Sequence, residues 1–468
     1  MKKFSIFFAI TFLAAFGLMA QTGSIDINAP EQETDPVILN KLEKWKDLRF
    51  GLLMHWGTYS QWGIVESWSL CSEDEDWCRR RSKNYVDYCR EYTQLKSTFN
   101  PVRFNPEKWA AAAKYAGMKY VIFTTKHHDG FCMFDTRQTD YKITDPGCPF
   151  SKNPRSNITK EIFNAFRAQG FWTGAYFSKP DWHCNDYWAE EWATPNRNVN
   201  YNIKRYPERW QKYCDFTYNQ IEELTTQYGK LDILWLDGGW VDPKNGQDIN
   251  MPKIASMARK HQPDLLIVDR TVTGKYENYR TPEQQIPDKL LDYPWETCMT
   301  MATSWSYVPG DIYKPTNRII HMLVDIVCKG GNYLLNIGPS PEGEWADTAY
   351  SRLREIGDWM KINGEAIYNS RPVNPFKSGK ICFTSNPDGT IYLIYLAEPG
   401  ETRIPATMEV SGFQPSGGSK IDMLGKTGNL KWKKQGDTGF IIEVPANIQK
   451  NPPCKHAWTF RIHMNNLN

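Results

Sequence analysis

The sequence is poor in the features that would mark several large protein classes. Net charge is nearly absent: 56 Lys and Arg face 53 Asp and Glu, leaving +3 over 468 residues. A partner held through nucleic-acid phosphates demands a basic surplus, and none is present. Beyond the N-terminus no run is apolar for the roughly 20 residues that a spanning helix needs. Cysteines number eleven, so at least one is unpaired, and their spacings match no zinc motif. Cys71, Cys78 and Cys89 lie close together, but spacing alone assigns no pairing. With 41% hydrophobic and 23% charged residues, the chain is not a disordered one. Histidine is scarce, eight in all, which makes its placement informative.

Aromatic residues are abundant: 19 Trp, 24 Tyr and 22 Phe, or 14% of the chain. Part of this is core. Flat aromatic faces also stack on the apolar faces of sugars, which makes carbohydrate an early candidate ligand.

The N-terminus reads as an export signal. Lys2 and Lys3 precede the apolar run Phe4 to Phe16, and Leu18, Met19 and Ala20 precede polar Gln21. That pattern predicts a signal peptide over residues 1–20, cleaved near Ala20, and a periplasmic or secreted protein. The apolar run is too short to anchor the chain, and no Cys sits near the cut. No membrane insertion is expected after cleavage.

Residues 21 to about 45 read as a polar lead-in broken by Pro30 and Pro36. Short runs rich in β-branched and aromatic residues then recur: Phe50 to Trp56, Lys119 to Thr125, Phe171 to Phe177, Leu231 to Leu236, Leu265 to Val268 and Gly331 to Leu335. Helical patterns lie between them. Asn105-Pro106-Glu107 opens one, and Thr159 to Ala168 and Pro207 to Tyr228 are others. Gly117, Gly170 and Gly229 each close a helix just before a strand. This is the βαβ rhythm of a parallel sheet. Polar residues collect at the strand ends, as they do on the active face of a (β/α)8 barrel. Past residue 365 short strands and turns replace helices, predicting an antiparallel β-sandwich. The fold class is therefore α/β: a (β/α)8-like TIM barrel over residues 21–365, then a β-sandwich over 366–468, linked near Asn369 to Asn374.

The chemistry is expected at the strand ends. Asp237 follows the run LDILWL, lies between Trp235 and Trp240, and precedes two glycines that leave room for a ligand. It is the candidate nucleophile or base of a sugar pocket; capping the next helix is the bland alternative. His127 and His128 could donate to sugar hydroxyls, or could bind zinc with His55 as a third ligand. Retaining glycoside hydrolysis needs a second carboxyl near the first. Glu277, Glu283 and Glu296 are the downstream choices, in a region from 271 to 300 that reads mostly as loop.

Several motifs carry a resemblance. Gly51 to Gly57 (GLLMHWG), Lys126 to Gly130 (KHHDG), Trp235 to Trp240 (WLDGGW), Val268 to Arg270, Trp295-Glu296 with Ser304 to Tyr307, and Gly330 to Pro339 (GGNYLLNIGP) run in order. Together they resemble the α-L-fucosidases of glycoside hydrolase family 29. The resemblance implies exo-acting, retaining release of terminal fucose from fucosylated oligosaccharides or glycoconjugates, without metal or other cofactor. It implies Asp237 as nucleophile. It implies His55, His127, His128 and Arg270 on the fucose hydroxyls, and Tyr176, Trp68, Trp235 and Trp305 around the sugar. The acid/base position aligns poorly in this family; Glu283 is favoured, Glu296 is the alternative, and Glu66 or Glu277 is a further choice. Glu66, just before Trp68, could instead assist. A fucose-binding lectin-like protein on a dead barrel is the second reading, and oligomeric state is open.

Overall fold

Each apolar run forms a strand of one parallel sheet. The strands are β1 (Phe50–Met54), β2 (Tyr120–Lys126), β3 (Trp172–Ser178), β4 (Ile233–Asp237), β5 (Leu266–Asp269), β6 (Glu296–Thr300) and β7 (Asn332–Asn336). The computed structural model describes residues 33–71, 78, 80, 84–192 and 194–464. The expected signal peptide over 1–20 lies outside the described residues.

The sheet order is β5-β4-β3-β2-β1-β7-β6, with every pair parallel. Among the described residues the barrel therefore has seven ladder strands, one fewer than a full set of eight. Residues 277–283 run through the eighth place, between β5 and β6. They touch β5 through an antiparallel bridge, Val268 to Glu277, and β6 through parallel bridges, Arg280 to Trp295 and Glu283 to Cys298. Pro282 removes a donor from this stave, which limits it to isolated bridges.

Side chains alternate across each strand. Leu53, Ile122, Tyr176, Trp235, Val268, Cys298 and Leu334 pack together inside the curl. Their neighbours Leu52, Val121, Phe123, Leu234, Leu236 and Ile267 are buried outside it, with Leu52, Val121, Phe123, Leu234, Leu236 and Ile267 all in the larger core under the helices.

The helices are α1 (Pro36–Lys46), α2 (Tyr85–Gln94), α3 (Pro106–Tyr115), α4 (Ile158–Ala168), α5 (Pro207–Gln227), α6 (Met251–His261), α7 (Thr316–Cys328) and α8 (Asp347–Asn363). Asn105 caps α3 by accepting from the Lys108 N–H, with Pro106 in the first turn. Gly117, Gly170 and Gly229 follow α3, α4 and α5 at positive φ, where glycine carries no Cβ penalty.

Helix α1 corrects the reading of a polar lead-in. Pro36 does not break the segment. It occupies the first turn, after Asp35 has capped the Val37 N–H. Ile38, Leu42 and Trp45 then form a buried stripe that closes the N-terminal end of the barrel. Trp45 stacks on Tyr279 at 4.0 Å, and Lys41 pairs with Asp232 at 2.6 Å.

The C-terminal region is antiparallel: β8 (Arg371–Ser378), β9 (Ile381–Ser385), β10 (Ile391–Leu396), β11 (Thr407–Ser411), β12 (Lys420–Met423), β13 (Asn429–Gln435), β14 (Gly439–Glu443) and β15 (Ala457–His463), with a short α9 (Ala446–Lys450). The order is β11-β14-β13-β12-β15-β10-β9-β8. One core lies within it, where Trp458 stacks on Tyr395. The edges nearly meet, since the Ser411 N–H donates to Ser378 Oγ at 3.1 Å. The sandwich is thus one sheet curled close to closure. Among the described residues no helix is long and apolar enough to cross a membrane.

Candidate active site

The C-terminal ends of the parallel strands surround a cavity of about 650 Å³. Its floor is the inward layer of the barrel. Ile233, Trp235 and Asp237 share the inward parity of β4, so Asp237 emerges at the top of a rigid strand. Gly238 and Gly239 do more for packing than for ligand access. A Cβ on Gly238, at φ +90°, would meet Pro180 Cδ at 2.2 Å, and one on Gly239 would meet Thr271 Oγ1 at 1.8 Å.

Asp237 is densely partnered. Arg270 Nη1 donates to its Oδ1 at 2.9 Å, and the Tyr176 hydroxyl donates to Oδ2 at 2.6 Å. His128 Nε2 lies 3.8 Å from Oδ2. Burial alone would raise this carboxyl. The Arg270 charge outweighs it, aided by His128, Tyr176 and the Gly238 N–H, and holds Asp237 far below the usual carboxylate range. Arg270 Nη2 also donates to Glu283 Oε2. A single guanidinium thus spans Asp237 on β4 and Glu283 on the irregular stave.

Three imidazoles form the adjoining wall. His55 Nδ1 pairs with Asn336 Oδ1 at 2.8 Å, His127 Nδ1 with Ser67 Oγ at 2.5 Å, and His128 Nδ1 with Ser178 Oγ at 2.6 Å. Each ring is oriented through Nδ1, which leaves Nε2 for the cavity. Burial depresses all three, His55 to about 4 and His128 to about 3, with His127 well below its ordinary value. They are neutral at neutral pH and can each donate or accept one hydrogen bond without adding charge. Trp68 packs edge-on to His128 at 5.2 Å and Trp305 lies 5.2 Å from His55. Trp235 stacks on Tyr176 at 5.2 Å.

The glutamates separate by depth. Glu66, Glu277 and Glu283 line the cavity. Glu66 accepts from the Ser306 N–H at 2.7 Å, and burial pushes its carboxyl up to about 8. Glu277 accepts from the Thr271 N–H at 3.1 Å, and burial, partly countered by Arg280, raises it to about 7. Glu296 is the sequence candidate that does not reach the cavity. It shares the inward parity of Cys298 but sits two residues deeper on β6, roughly 6–7 Å below. There it accepts from the Tyr120 hydroxyl at 2.6 Å and from Trp235 Nε1 at 3.3 Å. Burial raises it to about 8, although Tyr120, Trp235 and Tyr279 bond to it.

Comparison with known proteins decides the family. The model for "Alpha-L-fucosidase" matches residues 18–365, and that for "Alpha-L-fucosidase C-terminal domain" matches residues 374–463. The chain belongs to the α-L-fucosidase family. It is a family 29 glycoside hydrolase, an exo-acting enzyme of fucosylated glycans. The tissue α-L-fucosidase of Rattus norvegicus is 28% identical over 446 residues, covering 90% of each chain. That of Homo sapiens is 29% identical over 448 residues, covering 90% of this chain and 89% of the other. Among solved structures, α-L-fucosidase isoenzyme 1 from Paenibacillus thiaminolyticus superposes with a TM-score of 0.76 at 27% identity, covering 92% of this chain and all of that one.

Some residues of this fucosidase site escaped the sequence reading. Ser67, Ser178 and Asn336 orient the histidines. Ser178 and Asn336 end β3 and β7, so the rule that picked out His55 and Asp237 could have found them. Lys126 of the KHHDG motif is not a ligand donor; fully buried, it pairs with Asp181 at 3.0 Å. The aromatic segment from 181 mostly packs the wall: Trp182, Tyr187 and Trp188 are buried and do not line the cavity. Arg197 and Trp240 do line its mouth. Pro282, Pro287, Leu291 and Tyr293 line the cavity as well.

Proposed function

We propose that the enzyme releases terminal L-fucose with retention, using Asp237 as nucleophile and Glu283 as acid/base. The observation that carries this reading is Arg270 spanning both carboxyls at the blind end of one cavity. Asp237, held ionised by its partners, attacks C1 while Glu283 gives a proton to the leaving oxygen. A fucosyl ester of inverted configuration forms. Glu283 then takes a proton from water, which attacks C1 and restores the α anomer. His55, His127, His128 and Arg270 bind the fucose hydroxyls, and Tyr176, Trp68, Trp235 and Trp305 enclose the ring and its methyl group. Glu66, neutral in the wall, assists by orientation. A floor closed by Trp235 and the layer beneath it suits a terminal residue.

The signal-like N-terminus supports placement in the periplasm or outside the cell. We assign catalysis to residues 21–365 and a bracing role to 366–468. That role is supported by Trp359 Nε1 donating to the Ala457 carbonyl at 3.0 Å, and by His321 Nε2 lying 2.9 Å from the His456 carbonyl.

The test is hydrolysis of p-nitrophenyl α-L-fucoside by the wild type and by Asp237→Ala, Glu283→Ala and Glu296→Ala, each with and without azide. Asp237→Ala should lose turnover and yield β-fucosyl azide on rescue. Glu283→Ala should keep this activated substrate better than natural glycans and yield the α-azide. If Glu296→Ala shows that pattern and Glu283→Ala does not, the assignment of the acid is wrong. A wild type that binds fucose without turnover on any fucosylated glycan would make the protein a lectin.

A further inference from the structure

Away from the cavity, where α7 meets the C-terminal sheet, two thiols face each other. Cys328 ends α7 and Cys382 lies on β9, and both are fully buried. Their sulfurs and a carboxylate oxygen of Asp325 all lie within 4.8 Å of one another. The Cys328 thiol donates to the Asp325 carbonyl at 3.2 Å. The Asp325 carboxylate is already occupied, by Lys329 Nζ at 3.0 Å and Lys377 Nζ at 3.5 Å. Lys377 is also the register partner of Cys382 across the β8–β9 ladder. Two ammonium groups on the only carboxylate oppose a divalent cation here, although two thiols and a carboxylate are otherwise a metal-like set. What the surroundings leave open is a bond between the sulfurs themselves.

We propose that Cys328 and Cys382 form a disulfide that ties the last helix-strand unit of the barrel to the C-terminal sheet. The chemistry is exchange with a disulfide oxidant such as oxidised glutathione. One cysteine, as thiolate, attacks a glutathione sulfur and displaces one glutathione thiolate. The second cysteine thiolate attacks the mixed disulfide and displaces the other. Two protein thiols are oxidised, one glutathione disulfide is reduced to two thiols, and the two protons pass to the departing thiolates. The neighbouring Cys382 thiol and burial both raise the Cys328 pKa, so the folded, reduced pair reacts slowly. The bond therefore closes as β9 seats on α7, before burial is complete. Once closed it is shielded from reductants. It encloses a loop of roughly 50 residues, long enough to restrict the unfolded chain strongly.

The full chain is refolded in a mixture of oxidised and reduced glutathione, denatured, alkylated without reduction, digested and mapped by mass. The expected result is a linked peptide pair carrying Cys328 and Cys382, two hydrogens lighter than the separate peptides and lost on reduction. Wild type reduced in denaturant and refolded in dithiothreitol should drop in unfolding temperature by roughly 5 °C or more relative to the oxidised protein. The double variant Cys328→Ser, Cys382→Ser should show no such drop. Quantitative alkylation of both cysteines before reduction overturns the proposal. So does protection from alkylation that chelator removes with no linked peptide, which would mark a metal site. The peptide map uses wild type alone and stands even if the double variant fails to fold.

Discussion

Arg270 is the residue on which the site's electrostatics turn, because it serves two carboxyls at once. Arg270→Met should lower kcat/KM at least ~100-fold. It should also move the acid limb of the pH profile upward. Asp237 owes its depressed pKa first to this guanidinium among the groups that oppose burial, so without it the carboxylate is protonated at higher pH. A profile displaced only in height would show that Arg270 binds sugar without tuning Asp237. Glu296 separates depth from parity. It lies beneath Trp235, on which Tyr176 stacks, and Tyr176 in turn bonds Asp237. Glu296→Gln preserves shape and, below pH 8 or so, charge, because the buried acid is neutral there. Its kcat should stay within ~10-fold of wild type, while Glu283→Gln should lose ~100-fold or more on natural glycans. Steady-state kinetics of the two variants on one fucosylated oligosaccharide decides the point.

At the scale of elements, α1 and the irregular stave behave as one unit. Trp45, nearly inaccessible to solvent, stacks on Tyr279, which lies on the stave four residues before Glu283. Trp45→Ala should cost about 3–5 kcal/mol in urea unfolding. It should also lower turnover, because the support under the stave is lost. An unchanged kcat in the folded variant would mean that the stave is held from above alone. These two elements are also where the sequence was least legible. Asp237 was readable because it follows the apolar run Ile233 to Leu236 and a strand end is a fixed place. The glycine-stopped helices α3, α4 and α5 were readable for the same reason, since local chemistry specifies them: an Asn cap opens the first two and Pro207 starts the third. Helix α1 was missed because Pro36 is a breaker inside a helix and a starter at its first turn, and only the Asp35 cap distinguishes the two. Strand β6, Glu-Thr-Cys-Met-Thr, is polar enough to read as loop, and its burial comes wholly from tertiary packing. With β6 unseen, Glu296 could not be assigned a depth. Glu283 stayed one choice among several because its segment has no strand pattern to place it.

Across the whole molecule, buried titratable groups set opposing limits on stability. Burial raises Glu66 and Glu296 to about 8 and Asp129 and Glu277 to about 7. Their unfolded carboxyls ionise near pH 4, so the folded chain holds more protons and stability falls as pH rises from there through about 8. The three cavity histidines work the other way. The unfolded chain binds protons below about 6.5, while folded His55 resists to about 4, His128 to about 3 and His127 well below its ordinary value, so stability falls as pH drops below about 6.5. The two sets offset one another between them. Four carboxyls outweigh three histidines, so thermal unfolding should be highest near pH 5, fall gently to about 6.5 and decline more steeply toward 8, and a Tm that rises steadily from 5 to 8 would contradict these environments. The irregular eighth stave of the barrel has a different kind of consequence. Seven staves are locked by continuous ladders, so an inserted or deleted residue in β4 would turn Asp237 to the outside. The segment bearing Glu283 is pinned at isolated points only, and its flanking loop can lengthen or shorten without disturbing any ladder. Asp237 is thereby fixed by strand register, whereas no ladder fixes the length of chain between it and Glu283. Relatives of this enzyme are then better matched by superposing the irregular stave than by counting residues from the aspartate.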